Sequence, residues 1–393
     1  RSTLFPYTTL FRSLFIATTA PFFGDLVKTR SLVSIYEFEN EEKLFADVDH
    51  RVRFCLFVIA GWNAESIRID LAFRARQVEQ IEEKRFALTP EDIERLNPNT
   101  LTCPVFDDPR HAEIVTGIYR RIPVLWRESP ESNPWRLSFQ AMFHMSNDSG
   151  LFHTREQLAA DGWTLTGNIF VRAAKTSGEI TDSVEPDGLF DLDLPTQLVL
   201  SSAREDVERM LPLYEAKMVH HFDSRFSTYE GATQAQLNVG TLPRLTPQQH
   251  ADPTALPLPR YWVAESKVEA RLQRRNWGRN WLLGWRDICR SSDERTVIAN
   301  VIPRSAVGDK YLLAFSDQGT WFLQANLTSF VLDYCARQKF SGTSLKYFLF
   351  KQLPVIAPQT YMAAVPWLRD QELGGWVTAR SEEHTSELQS PIH

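Results

Sequence analysis

The sequence predicts an α/β sheet edge followed by a longer α+β region. Three observations carry this. Pro21–Lys28 reads as a short amphipathic helix leading into Ser31–Phe38, which alternates and is rich in β-formers. A polar connection then reaches Arg53–Gly61, a continuous apolar run of strand length, which reads as a central strand buried on both faces. From Ile67 onward the text turns polar and helical, with scattered strands returning only after Arg290.

The 393 residues are 43% hydrophobic and carry a net charge of −6, ordinary globular values that exclude a disordered or collagen-like chain. Cys55, Cys103, Cys289 and Cys335 are dispersed without a C-x-x-C pair, which excludes a zinc ribbon and a disulfide-dense secreted scaffold. No apolar run approaches the ~20 residues that span a bilayer. The cytoplasm is therefore the expected compartment, and no membrane partner is expected.

The two ends stand apart. Arg1–Ser13 and about Arg380–His393 read as one translated frame of a pair of sequencing-library adapters, so both are set aside as non-native. What remains, about Leu14–Ala379, reads as a piece of a longer chain.

Several helix starts are written out in full. Thr89 precedes Pro90 with Asp92 three residues on, Asp108 precedes Pro109, and Thr154 opens a short helix that Gly162 stops. Thr241–Pro259 holds five prolines and reads as a linker or surface loop. Lys267–Arg290 carries Lys267, Arg271, Arg274, Arg275, Arg279, Arg286 and Arg290 against Glu269 and Asp287, and Trp277, Trp281 and Trp285 recur every fourth residue. That spacing predicts an amphipathic helix with its tryptophans in the core. Arg295–Arg304 and Lys310–Phe315 read as strands, Thr320–Gln338 as a strand running into a helix, and Leu345–Pro354 as a strand.

The string Ser31–Gly61 (Phe38-Glu39-Asn40, then Leu44-Phe45, then Phe54–Ile59) resembles the adenine-specific DNA methyltransferases of restriction–modification and phage-defence systems. It looks like the last helix and final hairpin of their class I sheet. Arg120–Glu128, Tyr214–Gly231, Tyr261–Val268 and Phe330–Pro358 are similar to the target-recognition half of the same enzymes, including type IIG-like, DISARM-type and BREX-type methylases. The resemblance implies a layout of 14–75 as the C-terminal edge of the methyltransferase domain, 76–128 as a helical connector and 129–379 as the DNA target-recognition domain. It also implies S-adenosylmethionine as the parent enzyme's cofactor, double-stranded DNA as partner and restriction or defence-system subunits beside it. The family's Gly-rich cofactor loop and Asn-Pro-Pro-aromatic motif are absent. Asn97-Pro98 and Asn133-Pro134 are the sequence's Asn-Pro pairs, and neither follows a buried strand. The fragment is therefore expected to be inactive alone. A non-catalytic specificity subunit is the alternative.

The candidate DNA contacts are Lys217, His220, Arg225, Lys267, Arg271, Arg274, Arg275, Arg279, Arg286, Ser341, Thr343 and Lys346. Arginine and lysine neutralise phosphates and release counterions, and arginine reads guanine through a bidentate fork. A solvated helix face is the plainer reading of the arginines. His220, His221 and Asp223 lack metal-ligand spacing, so no metal is expected there. The acids between Asp182 and Asp193 read as a solvated loop, and Asn40 as a residue that satisfies a turn.

Overall fold

The computed structural model describes residues 3–4, 20–60, 66–173, 207–339, 342–365 and 367–385. The acidic stretch 182–193 and Ser341 lie outside them. The described residues form two compact units, one within 3–137, 287–298 and 316–377, the other within 138–286, 299–315 and 378–385.

The first unit is built on a sheet of order β1-β3-β2-β4-β5, formed by Thr3–Leu4 (β1), Leu32–Glu39 (β2), Arg53–Ile59 (β3), Ile69–Ala75 (β4) and Phe86–Leu88 (β5). β2 and β3 form the expected antiparallel hairpin, and Asn40 closes its connection. Its amide donates to the Phe45 and Val48 carbonyls (3.0 and 2.9 Å) and its oxygen accepts from the Phe45 N–H (2.9 Å). β3 differs from expectation. It alternates between buried Cys55 and Phe57 and more open neighbours, so one face is buried rather than two. The anchors Leu44 and Phe45 are substantially exposed, although the Phe45 ring meets Phe54 edge-on at 4.7 Å. β4, parallel to β2, occupies a stretch that the sequence reads as helical and polar, and Arg127–Glu128 (β6) and Glu131–Ser132 (β7) pair as a short antiparallel hairpin.

Ala20–Lys28 (α1), Pro90–Leu96 (α3) and Pro109–Tyr119 (α4) supply the helical side of the core, which joins Phe23, Leu32, Ile35, Leu71, Ile93 and Val115; Gln80–Lys84 (α2) is a short exposed helix. The caps form as read. Thr89 and Asp92 make a reciprocal capping box, and Asp108 accepts from the Arg110 N–H at 2.7 Å.

The second unit contains two sheets. One has the order β12-β11-β10-β9, from Thr164–Thr166 (β9), Ile169–Ala173 (β10), Val207–Tyr214 (β11) and Trp262–Ala264 (β12), with Ala306–Val307 (β15) beside β11. The other has the order β14-β13-β16-β8, from Ser138–Gln140 (β8), Trp281–Arg286 (β13), Ala299–Pro303 (β14) and Tyr311–Phe315 (β16). Gly284 on β13 has no substitute: a Cβ there would meet the Tyr311 ring at 2.5 Å and the Leu312 carbonyl at 2.7 Å. Thr154 caps Arg155–Ala160 (α5) through a capping box, and the Pro-rich stretch contains the short helix Pro247–Ala251 (α7) after Gln234–Val239 (α6).

Lys267–Arg290 is not one helix. Glu265–Gln273 (α8) stops at Asn276, which adopts φ 52°, and β13 follows. The tryptophans are core residues nonetheless: Trp277 and Trp285 are buried and Trp281 is partly so. Two further readings are corrected in the first unit. Thr320–Thr328 (α9) and Phe330–Lys339 (α10) are two helices, and Leu345–Pro354 holds the helical turn Tyr347–Phe350 (α11) rather than a strand. The segment 287–298 is stapled into that unit by buried Asp333, whose carboxylate accepts the Thr296 and Val297 N–H groups (both 2.8 Å) and pairs with Arg337 at 2.9 Å.

Candidate nucleic-acid interface

The basic residues expected to touch DNA fall into three groups. The first lies along α8 and the turn after it. Val268 and Leu272 face the core, which turns Lys267 and Arg274 outward. Arg271 is committed to the fold: it donates to the Met142 carbonyl, pairs with Asp148 at 2.6 Å and lies 4.1 Å over the Phe143 ring. Burial opposes the charge of Asp148, but the His144 N–H and the Arg271 guanidinium outweigh it and hold the carboxyl below its ordinary range. Arg275 donates to the Phe139 carbonyl at 2.8 Å, and Arg279 lies over the Trp277 and Trp281 rings at 5.5 and 5.2 Å.

Lys267, Arg274, Arg275 and Arg279 are exposed and form no ion pair among the described residues. No carboxylate among the described residues compensates them, and the C-terminal dipole of α8 favours the cations of Arg274 and Arg275 at its end by ~0.3–1 kcal/mol. Arg304, which the sequence did not single out, organises this turn. It pairs with Glu269 and donates to the Trp277 and Arg279 carbonyls at 3.1 and 3.0 Å. Arg286 closes β13 opposite Tyr311.

The second group surrounds a loop after β11. Lys217 sits 4.9 Å over the Tyr229 ring and 3.5 Å from Glu215. Burial and the adjacent Glu215 push the Tyr229 hydroxyl above its ordinary range. The His220 ring packs on Phe226 at 4.5 Å, and its backbone exchanges hydrogen bonds with Asp223. Arg225 is a correction to the expected phosphate contact. It is 9% exposed, and its guanidinium donates to the His250, Asp252 and Ala255 carbonyls at 2.7, 2.9 and 3.1 Å, so its donors serve the loop. Arg244, missed in the sequence, is exposed with its guanidinium over Phe226 at 4.8 Å. Between these groups, Phe222 is 63% exposed at φ 58°.

The third group is in the first unit. Thr343 is exposed and its carbonyl accepts from the Cys289 N–H at 3.3 Å. Lys346 pairs with fully buried Asp287 at 2.5 Å, so its charge is spent internally.

A catalytic role finds no support in the asparagines. Asn97 accepts from Lys339 and donates to the Thr102 carbonyl; Asn133 accepts from the Leu137 N–H and donates to the Leu137 carbonyl. Neither side chain fits a grip on adenine. The first unit also has an open cleft of about 820 Å³, but its Arg30 and Arg127 are neutralised by Glu91 and Glu94 at 2.5 Å each. Among the described residues no cluster of His, Cys, Asp or Glu could hold a metal, and no helix is long and apolar enough to cross a membrane.

No family model and no curated protein matches the chain. Among solved structures it is similar to the type IIG restriction endonuclease BpuSI, with 13% identity and a TM-score of 0.24, over 90% of this chain and 40% of that one. The chain thus spans less than half the length of that enzyme.

Proposed function

We propose that the chain is the DNA-recognition part of an adenine-specific DNA methyltransferase of a restriction–modification or related defence system. In this reading 14–75 is the edge of the catalytic sheet, 76–128 a connector and 129–379 the target-recognition domain. The observation that carries the proposal is the set of exposed cations along α8 and the turn after it. Lys267, Arg274, Arg275 and Arg279 have no carboxylate partner among the described residues. Arg279 is exposed and lies over two tryptophan rings. Such groups exchange counterions for phosphates at no cost in broken ion pairs.

S-adenosylmethionine belongs to the parent enzyme in this proposal. The residues of this chain do not fit that cofactor or the adenine grip, so no catalytic step is assigned to them. Double-stranded DNA is the partner, in the cytoplasm, beside restriction or defence subunits.

The test is selection of bound duplexes from a random-sequence pool, followed by incubation with labelled S-adenosylmethionine. The expected result is a consensus containing adenine and no methyl transfer by the chain alone. A pool that yields no consensus contradicts the recognition role, and measurable turnover contradicts the placement of the chemistry outside this chain.

A further inference from the structure

The turn His220–Asp223 presents an aromatic ring to solvent in a backbone conformation that does not favour it. The two end residues exchange backbone hydrogen bonds of 2.8 and 3.1 Å. Phe222, the second central residue, sits at φ 58°, where such turns ordinarily place glycine or asparagine. A bulky side chain keeps this conformation only where its surroundings impose it.

The surroundings do so from both sides. The Asp223 carboxylate accepts from the Arg225 N–H at 2.8 Å, and Arg225 is fixed in turn by the carbonyls of His250, Asp252 and Ala255. The Asn300 amide donates to the His220 carbonyl at 3.0 Å, anchoring the turn to β14. The ring at the tip makes an edge contact with His221 at 4.3 Å and is otherwise 63% exposed. Between 216 and 231 it is the one large apolar side chain so exposed. A single ring is too small a patch for a protein-docking surface. Exposed Arg244 lies over Phe226, whose ring packs on His220 of the turn, and this suits an anionic partner that offers flat faces; Lys217 nearby in sequence is paired with Glu215.

β14 relates this ring to the basic turn. Asn300 holds the Phe222 turn near one end of the strand, and Arg304, just past the other end, holds the backbone of Trp277 and Arg279. Four residues of strand are roughly 13 Å, and stacked bases repeat every ~3.4 Å along a strand. The residues that anchor the two features are thus separated by the length of a few base steps.

We propose that Phe222 is a wedge that enters duplex DNA at a base step, held ready by its turn while Arg274, Arg275 and Arg279 hold phosphates a few steps away. The proposal rests on the DNA-binding reading above and adds a mode of contact to it. Pyrimidine–purine steps, which unstack most easily, are the steps it enters.

The experiment uses the full chain and mixed-sequence duplexes with 2-aminopurine at successive positions, comparing wild type with Phe222→Gly and Phe222→Trp. Glycine relieves the backbone conformation, so that variant folds while losing the ring. Wild type and Phe222→Trp are expected to raise 2-aminopurine fluorescence at pyrimidine–purine steps. Phe222→Gly is expected to bind about tenfold more weakly, with an unchanged salt slope and no fluorescence rise. Equal fluorescence and affinity in Phe222→Gly overturns the wedge and leaves the DNA reading standing. Tighter binding to single strands than to duplex also overturns it, in favour of a base-stacking platform. Absence of binding by wild type at low salt overturns both.

Discussion

In the first unit Arg30, Arg74, Arg120, Arg127 and Arg337 each end on a carboxylate. In the second, Arg274, Arg275 and Arg279 lie close together in sequence and form no ion pair among the described residues. The second unit does use arginines structurally, as in Arg225 on three carbonyls and Arg304 on Glu269. The lesson is that basic residues of one chain divide by what their donors already hold. Those with filled donors maintain the fold. Exposed ones without a carboxylate partner are available to an anion; in the second unit Arg274 and Arg275 sit at a helix end and Arg279 lies over two tryptophan rings.

Asp333 in the first unit is where the largest effect is expected. Replacing it by alanine strands two buried N–H groups and removes the carboxylate partner of Arg337, which keeps the Ser291, Asp293 and Glu294 carbonyls, a loss of about 4 kcal/mol of stability. Denaturant unfolding should show this while the salt dependence of DNA binding in the folded protein stays unchanged.

Glu37 gives the next largest effect. Burial raises its pKa to about 7, against the opposing fields of Arg53 and Arg74. Because the folded value exceeds the unfolded one, this group's contribution to stability is complete below about pH 4.5 and is lost as pH rises through about 7. Glu37→Gln should flatten that part of the stability profile and raise stability above pH 7, by an amount on the order of 3 kcal/mol. Thermal melts across this pH range check it, and a slope that persists in the variant contradicts the assignment.

In the second unit Gly284→Ala forces the Tyr311 ring or the Leu312 backbone to move, at about 2 kcal/mol. A variant as stable as wild type would mean that β13 and β16 do not approach as closely as described.

Local signals were the most legible in the sequence. Thr89, Asp108 and Thr154 marked helix starts correctly because a cap is a contact between near neighbours. The hairpin was legible for the same reason. The Trp277–Trp285 stretch was not, because a spacing of four fits the helical period and the strand period alike. Asn276 and Gly278, on either side of the first tryptophan, were the available signal for the break. Ser329, whose hydroxyl accepts from the Leu332 N–H at 3.2 Å, similarly marked the start of α10 and was read through. Arg225 and Phe222 could not be assigned from sequence, since burial among distant carbonyls and a left-handed backbone leave no local pattern.

The smallest expected stability change belongs to the residues with the largest expected role. Arg274, Arg275 and Arg279 replaced together by alanine should leave stability within about 1 kcal/mol, since exposed side chains of this kind each contribute little. The direct test of the central claim is the slope of log affinity against log salt for a duplex, in wild type and in this triple variant. Each lost phosphate contact reduces the slope by about 0.9, so the account predicts a slope shallower by roughly 2–3 with weaker binding at low salt. An unchanged slope would contradict it and leave these arginines as solvated surface.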